Sequence, residues 1–169
     1  MKRFALLAFG AKKNCLPALY RSLIKNGCST GDSLIASFGE EFAAAVEVLG
    51  KDGQSVSKAI KGMKGAVAIR SKELKEKKRA PLSNLLITLH GPNREETLYE
   101  LFMLLERSNV AVNGMEAKTV AEGTLFAAAL EAWCPTRTVQ RKIKSDISAL
   151  ARSLGLKASV SPTEPVDIF

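Results

Sequence analysis

LLITLHGPNREETLYELFMLL, residues 85–105, changes its hydrophobic period half-way along. Leu85 to Leu89 is an apolar run of strand length that ends at His90 and Gly91. After a loop, Leu98, Leu101, Phe102 and Leu105 fall at i, i+3, i+4 and i+7, the spacing of one helix face. The same switch occurs in FALLAFGAKKNCLPALYRSL, residues 4–23, where Phe4 to Phe9 run apolar as far as Gly10. There Leu16, Leu19, Tyr20 and Leu23 repeat the helical spacing, each 82 positions before its counterpart. The two glycines are 81 apart, so the first copy has lost one loop residue. A strand–loop–helix unit that recurs with matched phase is an internal duplication.

The copies stay parallel beyond that helix. Gly27 and Asn109 suit the left-handed position that ends a helix. Residues 28–38 and 110–120 then read as strands, with tight turns at Gly39-Glu40 and at Ala121-Glu122-Gly123. Residues 42–49 and 124–133 return as the second strands of two hairpins. Their alanine runs (43–45 and 127–129) favour helix by propensity, but a place between a turn and a second helix favours strand. Second helices follow at 55–64 and 137–154, the latter with Val139, Ile143, Ile147, Leu150 and Leu154 on one face and Gly155 at its end. Short strands at 66–69 and 157–160 close each copy. The order β-α-β-β-α-β, twice, predicts an α+β chain of two ferredoxin-like units. Each is a four-stranded antiparallel sheet with two helices on one face. The expected layout is residues 1–70, a charged linker at 71–83, residues 84–161, and a tail at 162–169.

Composition narrows the function. The chain has 169 residues, of which 46% are apolar, and a net charge of +8. Disorder along the whole chain is excluded, and no apolar run reaches the ~18 residues needed to span a bilayer. The charge is uneven: residues 1–83 carry 16 basic and 7 acidic residues, +9, whereas 84–169 carry 9 and 10, −1. The basic excess therefore marks the linker and first copy. With two tyrosines, one tryptophan and no aromatic-basic motif, direct nucleic-acid binding is not expected. Cys15, Cys28 and Cys134 share no metal-ligand spacing, and a reducing, cytoplasmic compartment fits them. The basic-apolar start, Lys2-Arg3 then Phe4 to Phe9, imitates a leader but reads as a first strand, since Lys12 and Lys13 follow at once. His90 is the single histidine, and no nucleophile–base order, phosphate loop or paired-carboxylate signature is present. These features point away from an enzyme, and they call for no cofactor and no metal.

Two βαββαβ units with a glycine at the end of each first strand resemble a tandem ACT-domain protein. The likeness is greatest to the glycine cleavage system transcriptional repressor family, two ACT domains without a DNA-binding module. Residues 27–33 (GCSTGDS) resemble that family's helix-to-strand motif, and Gly39-Glu40-Glu41-Phe42 its hairpin. Residues 87–94 (ITLHGPNR) resemble the strand and ligand loop. The family's loop reads glycine, any residue, aspartate, arginine, proline, glycine. Here Gly10-Ala11-Lys12-Lys13-Asn14 keeps only the glycine, while Gly91-Pro92-Asn93-Arg94 keeps glycine and arginine. The resemblance implies a regulatory protein that binds an amino acid or small anion, acts through another regulatory protein, and forms a homodimer. It also points to Asp32 and Ser33 near the strand where such ligands are contacted, although both read equally as hairpin residues.

The physical case for the loop is independent of the family. A helix N-terminus offers unpaired N–H groups and the positive end of a dipole, and so attracts carboxylates. Gly91 would allow close backbone approach, Asn93 offers donor and acceptor, and Arg94 meets a carboxylate bidentately. Glu95 and Glu96 compete for that positive charge. The plain alternative is a strand-to-helix turn capped by Asn93. Gly10, Ala11, Lys12, Lys13 and Asn14 form the degenerate counterpart, where lysines in a loop are ordinarily just solvated. A third possibility, a structural interaction module whose loops have decayed, stays open at this point.

Overall fold

The structure is a computed structural model that describes residues 1–11, 15–63, 66–75 and 81–163. It divides into two compact units, Met1–Lys78 and Arg79–Phe169. In the first, β1 (Lys2–Ala11), α1 (Cys15–Lys25), β2 (Ser29–Phe38), β3 (Glu41–Gly50), α2 (Gly53–Lys61) and β4 (Ala66–Glu73) follow in order. The second repeats them as β5 (Leu85–Pro92), α3 (Glu96–Arg107), β6 (Ala111–Val120), β7 (Leu125–Trp133), α4 (Arg137–Ser153) and β8 (Lys157–Pro162). Both sheets are antiparallel, with strand orders β2-β3-β1-β4 and β6-β7-β5-β8. This is the predicted tandem ferredoxin-like architecture.

Period decides which side is buried. Along β3, Phe42, Ala44, Val46 and Val48 are buried while the residues between them are half-exposed, the alternation of a strand with one face on a core. The alanine runs are thus strand, because tertiary packing overrides a weak local helix preference. Phe42, Val46 and Val48 meet Leu19 and Leu23 of α1 and Val56 of α2 in the first core. In the second, Leu130 and Ile87 pack with Leu101, Leu105, Ile143 and Ile147. Gly27 (φ +68°), Asn109 (φ +53°) and Gly155 (φ +69°) end their helices in the left-handed region, as the sequence required.

Three boundaries differ from the sequence reading. β4 runs on to Glu73, with Leu6 opposite Ser71 and Phe4 opposite Glu73, and Leu74 N donates to Arg3 O (2.8 Å). Residues 71–73 therefore belong to β4 of the first sheet, with Leu74 bonded at its end, and not to a linker beginning at 71. An edge strand open to solvent needs no apolar side chains, so its charge concealed it. At the other end β8 reaches Pro162, and Thr163 N donates to Asn84 O (3.0 Å), so the tail starts later than 162. The helix expected over 55–64 spans Gly53–Lys61, because Asp52 caps its start and the Gly62 N–H closes its end on Lys58 O. Residues 76–80 and 164–169, of the linker and tail, lie outside the described residues.

Candidate functional site

The site begins where β5 gives way to α3. Gly91 and Pro92 are still paired, with Phe126 and Leu125 of β7, so only Asn93 to Glu95 separate strand from helix. Asn93 is held by the β6–β7 turn: its N–H donates to Thr124 O (2.9 Å) and its Nδ2 to Gly123 O (2.9 Å). That turn is tight, with Ala121 (φ +51°), Glu122 (φ +54°) and Gly123 (φ +86°) all left-handed. Asn93 is therefore not the cap of α3. The capping position is Glu95, in helical conformation and without a side-chain hydrogen bond. By contrast, Asp52 caps α2 and Thr136 caps α4, each accepting from a backbone N–H three residues on.

Gly91 has a different task from the one its sequence context implies. At φ +154° it adopts a conformation that side chains rarely take. A Cβ there would lie 2.8 Å from Leu156 Cδ2, 3.1 Å from Leu156 Cα and 3.2 Å from Gly155 O. The close approach belongs to the α4–β8 turn rather than to a ligand. Arg94 stays at the surface, its Nη1 3.8 Å from Glu96 Oε1, with both side chains about half exposed. Such a pair is worth roughly 0–1 kcal/mol, and a better anion could displace the glutamate.

Thr97, in the first turn of α3, was not singled out by the sequence. It is 1% exposed and its Oγ1 has no hydrogen-bond partner among the described residues. A buried hydroxyl left so costs about 1–3 kcal/mol, which a ligand oxygen could relieve. The available signal was its position on the inner face of α3, 82 residues after the equally buried Cys15. In the first unit Gly10 is buried opposite Phe42 beside an irregularity in the β1–β4 pairing, and Ala11 faces Glu41. Glu41 Oε2 is likewise buried without a partner among the described residues. Lys12, Lys13 and Asn14 lie outside the described residues.

Asp32 is set by strand register level with a different part of β1 from Gly10 and Ala11. It sits on β2 in the irregular stretch between Thr30 and Ser33, whose partners on β3 face Phe4 and Leu6 of β1. Gly10 and Ala11 are five or so residues further along β1, about 17 Å at strand rise. The three cysteines are buried and in no disulfide, and burial raises the thiol pKa of Cys28 and of Cys134. Among the described residues no group of three His, Cys, Asp or Glu could hold a metal ion. No described helix is long and apolar enough to cross a membrane. A 520 Å³ groove lined by Asn84, Thr136, Arg137 and Gln140 lies at the opposite end of the second sheet, some eight residues along β5 from the Gly91 loop. It offers one cation, Arg137, and the amide of Gln140, since Asn84 is held by the backbone of Cys134, and it adjoins a helix whose first turn is already capped.

No family model and no curated protein matches the sequence. Solved structures do. A protein of unknown function from Galdieria sulphuraria aligns over 96% of this chain and 99% of its own, at 17% identity with a TM-score of 0.80. A "putative glycine cleavage system transcriptional repressor" aligns over 96% of this chain and 98% of its own, at 16% identity with a TM-score of 0.68. These likenesses are of fold, and they extend along the whole chain.

Proposed function

We propose that the chain is a non-catalytic regulatory protein with tandem ACT domains that senses an amino acid or a small anion. In this reading it acts as a cytoplasmic homodimer through contacts with another regulatory protein, in transcriptional control of amino-acid metabolism of the glycine cleavage type. The repressor named above shares the fold, which supports this class. The observation that carries ligand binding is the buried hydroxyl of Thr97, without a partner among the described residues, three positions after Arg94 at an uncapped helix start. The Thr97 N–H donates to Arg94 O (3.2 Å). The other first-turn N–H groups and the helix dipole would take a carboxylate, Arg94 would move from Glu96 to the ligand, and Thr97 would gain its missing side-chain bond. The residues assigned are Gly91, Pro92, Asn93 and Arg94, with Gly91 shaping the turn and Asn93 holding it. Gly10 to Asn14 form the counterpart in the first unit. Asp32 enters only where another surface brings a ligand to β2. Ligand would favour one arrangement of the molecule and so change the surface offered to the partner.

One observation favours a structural module with decayed loops instead. The backbone N–H of Asn93 and one of the two protons on its Nδ2 point at the β6–β7 turn rather than at a ligand. A thermal-shift screen of free amino acids and small carboxylates separates the two readings. A ligand at 100 times its Kd stabilises the folded state by about 2.7 kcal/mol. The shift is expected to vanish in Arg94→Ala and Thr97→Val. No shift at millimolar concentration, with Thr97→Val merely more stable than the parent, would establish the structural module.

A further inference from the structure

The two sheets differ on the side away from their helices. In the first sheet one row across that side reads Leu34, Ala45, Leu7, Arg70, and the next reads Ala36, Ala43, Phe9, Ala68. Leu34 is 72% exposed and Leu7 57%. The matching rows of the second sheet read Glu116, Ala129, Thr88, Ser159 and Lys118, Ala127, His90, Lys157. Sister units descended from one repeat thus carry leucine where the other has threonine or glutamate, and phenylalanine where it has histidine. A solvated face would not hold these residues in one copy alone.

We propose that the open face of the first sheet is where two copies of this chain associate, sheet on sheet, about a two-fold axis parallel to the strands. Such an axis exchanges β2 with β4 and β3 with β1. Phe9 and Leu7 of one copy then lie over Ala43 and Ala45 of the other, large over small, on both sides of the axis. The same operation brings Lys72, level with Ala5 on the β4 edge, towards the partner's β2 edge. There Asp32 lies at the matching level, between Thr30 and Ser33. An isologous contact counts each of these matches twice. Three ten-residue strands and the eight-residue β4, at 4.8 Å by 3.4 Å per residue, give about 620 Å² per copy, or about 1,240 Å² in all, at the lower end of specific interfaces. A sandwich of aligned sheets keeps strand axes within about 30°, so the central columns stay in register.

The proposal deepens the homodimer reading above and is tested apart from it. Sedimentation equilibrium of the full chain is expected to give a dimer in the micromolar range. Leu7→Glu is expected to raise the dimer Kd at least ~100-fold, since two charges enter the buried centre. Ile24→Glu, at a 71% exposed position on α1, is expected to leave it unchanged. Circular dichroism checks folding, and Leu34→Glu replaces Leu7→Glu should the latter unfold. A monomer at the highest soluble concentration overturns both the surface and the homodimer. A dimer unaffected by either glutamate overturns the surface alone.

Discussion

Replacing Gly91 by alanine separates two explanations of one residue. If the glycine serves backbone approach by a ligand, the variant folds normally and loses only its ligand response. The structure predicts otherwise. The added Cβ would stand 2.8 Å from Leu156 Cδ2, which can rotate away. It would also stand 3.1 Å from Leu156 Cα and 3.2 Å from Gly155 O, which are main chain and cannot move without shifting the start of β8. Overpacking of this kind costs about 1–3 kcal/mol, and the φ of +154° adds about 1–3 kcal/mol of backbone strain. A loss of at least about 2 kcal/mol follows, which lowers Tm by at least about 8–16 °C for a unit of this size. Gly123→Ala is the control: φ is +86°, nothing lies within 4 Å, and only strain of about 1–2 kcal/mol applies. The assay is thermal and urea unfolding followed by the fluorescence of Trp133, the one tryptophan, which sits at the end of β7 and so reports the second unit. Should Gly91→Ala cost no more than Gly123→Ala, the packing of the α4–β8 turn on this glycine is refuted.

Two further outcomes follow from other groups. Hydrogen bonds from the Ser55 N–H and hydroxyl to Asp52 lower that carboxyl's pKa below its ordinary value of 3.8. A depressed folded pKa gives stability that is complete above the unfolded value and lost as pH falls through the folded one. Acid unfolding of the first unit below about pH 4, followed by circular dichroism, is therefore expected to be less steep in Asp52→Asn, and equal slopes would contradict the capping role. Burial raises the thiol pKa of Cys28 and Cys134, so both are expected to resist a disulfide reagent in the native protein and to react in urea. Fast native labelling, read by mass spectrometry of peptides, would show these cores open on that timescale.

The sequence by itself determined the fold class. Apolar side chains alternate along strands and recur every three or four residues along helices, and the duplication repeats both patterns in phase. That information is local, since it requires only that each segment hide one face. Gly27, Asn109 and Gly155 were legible for the same reason, as each answers to its own backbone angle. What belonged to the tertiary structure alone were relations between residues distant in sequence. Asn93 looked like a cap because it precedes a helix, yet Gly123 O, thirty residues on, claims its side chain. Gly91 looked like a ligand glycine, yet Leu156 fills the space over it. Asp32 was grouped with Gly10, but strand register sets them at different levels of the sheet. Residues 71–73 looked like linker because an edge strand open to water leaves no apolar trace. Thr97 is one position in a helical stripe, and only its burial leaves the hydroxyl without a partner among the described residues. Pairing, register and desolvation arise only once the chain has closed on itself, and no segment carries them alone.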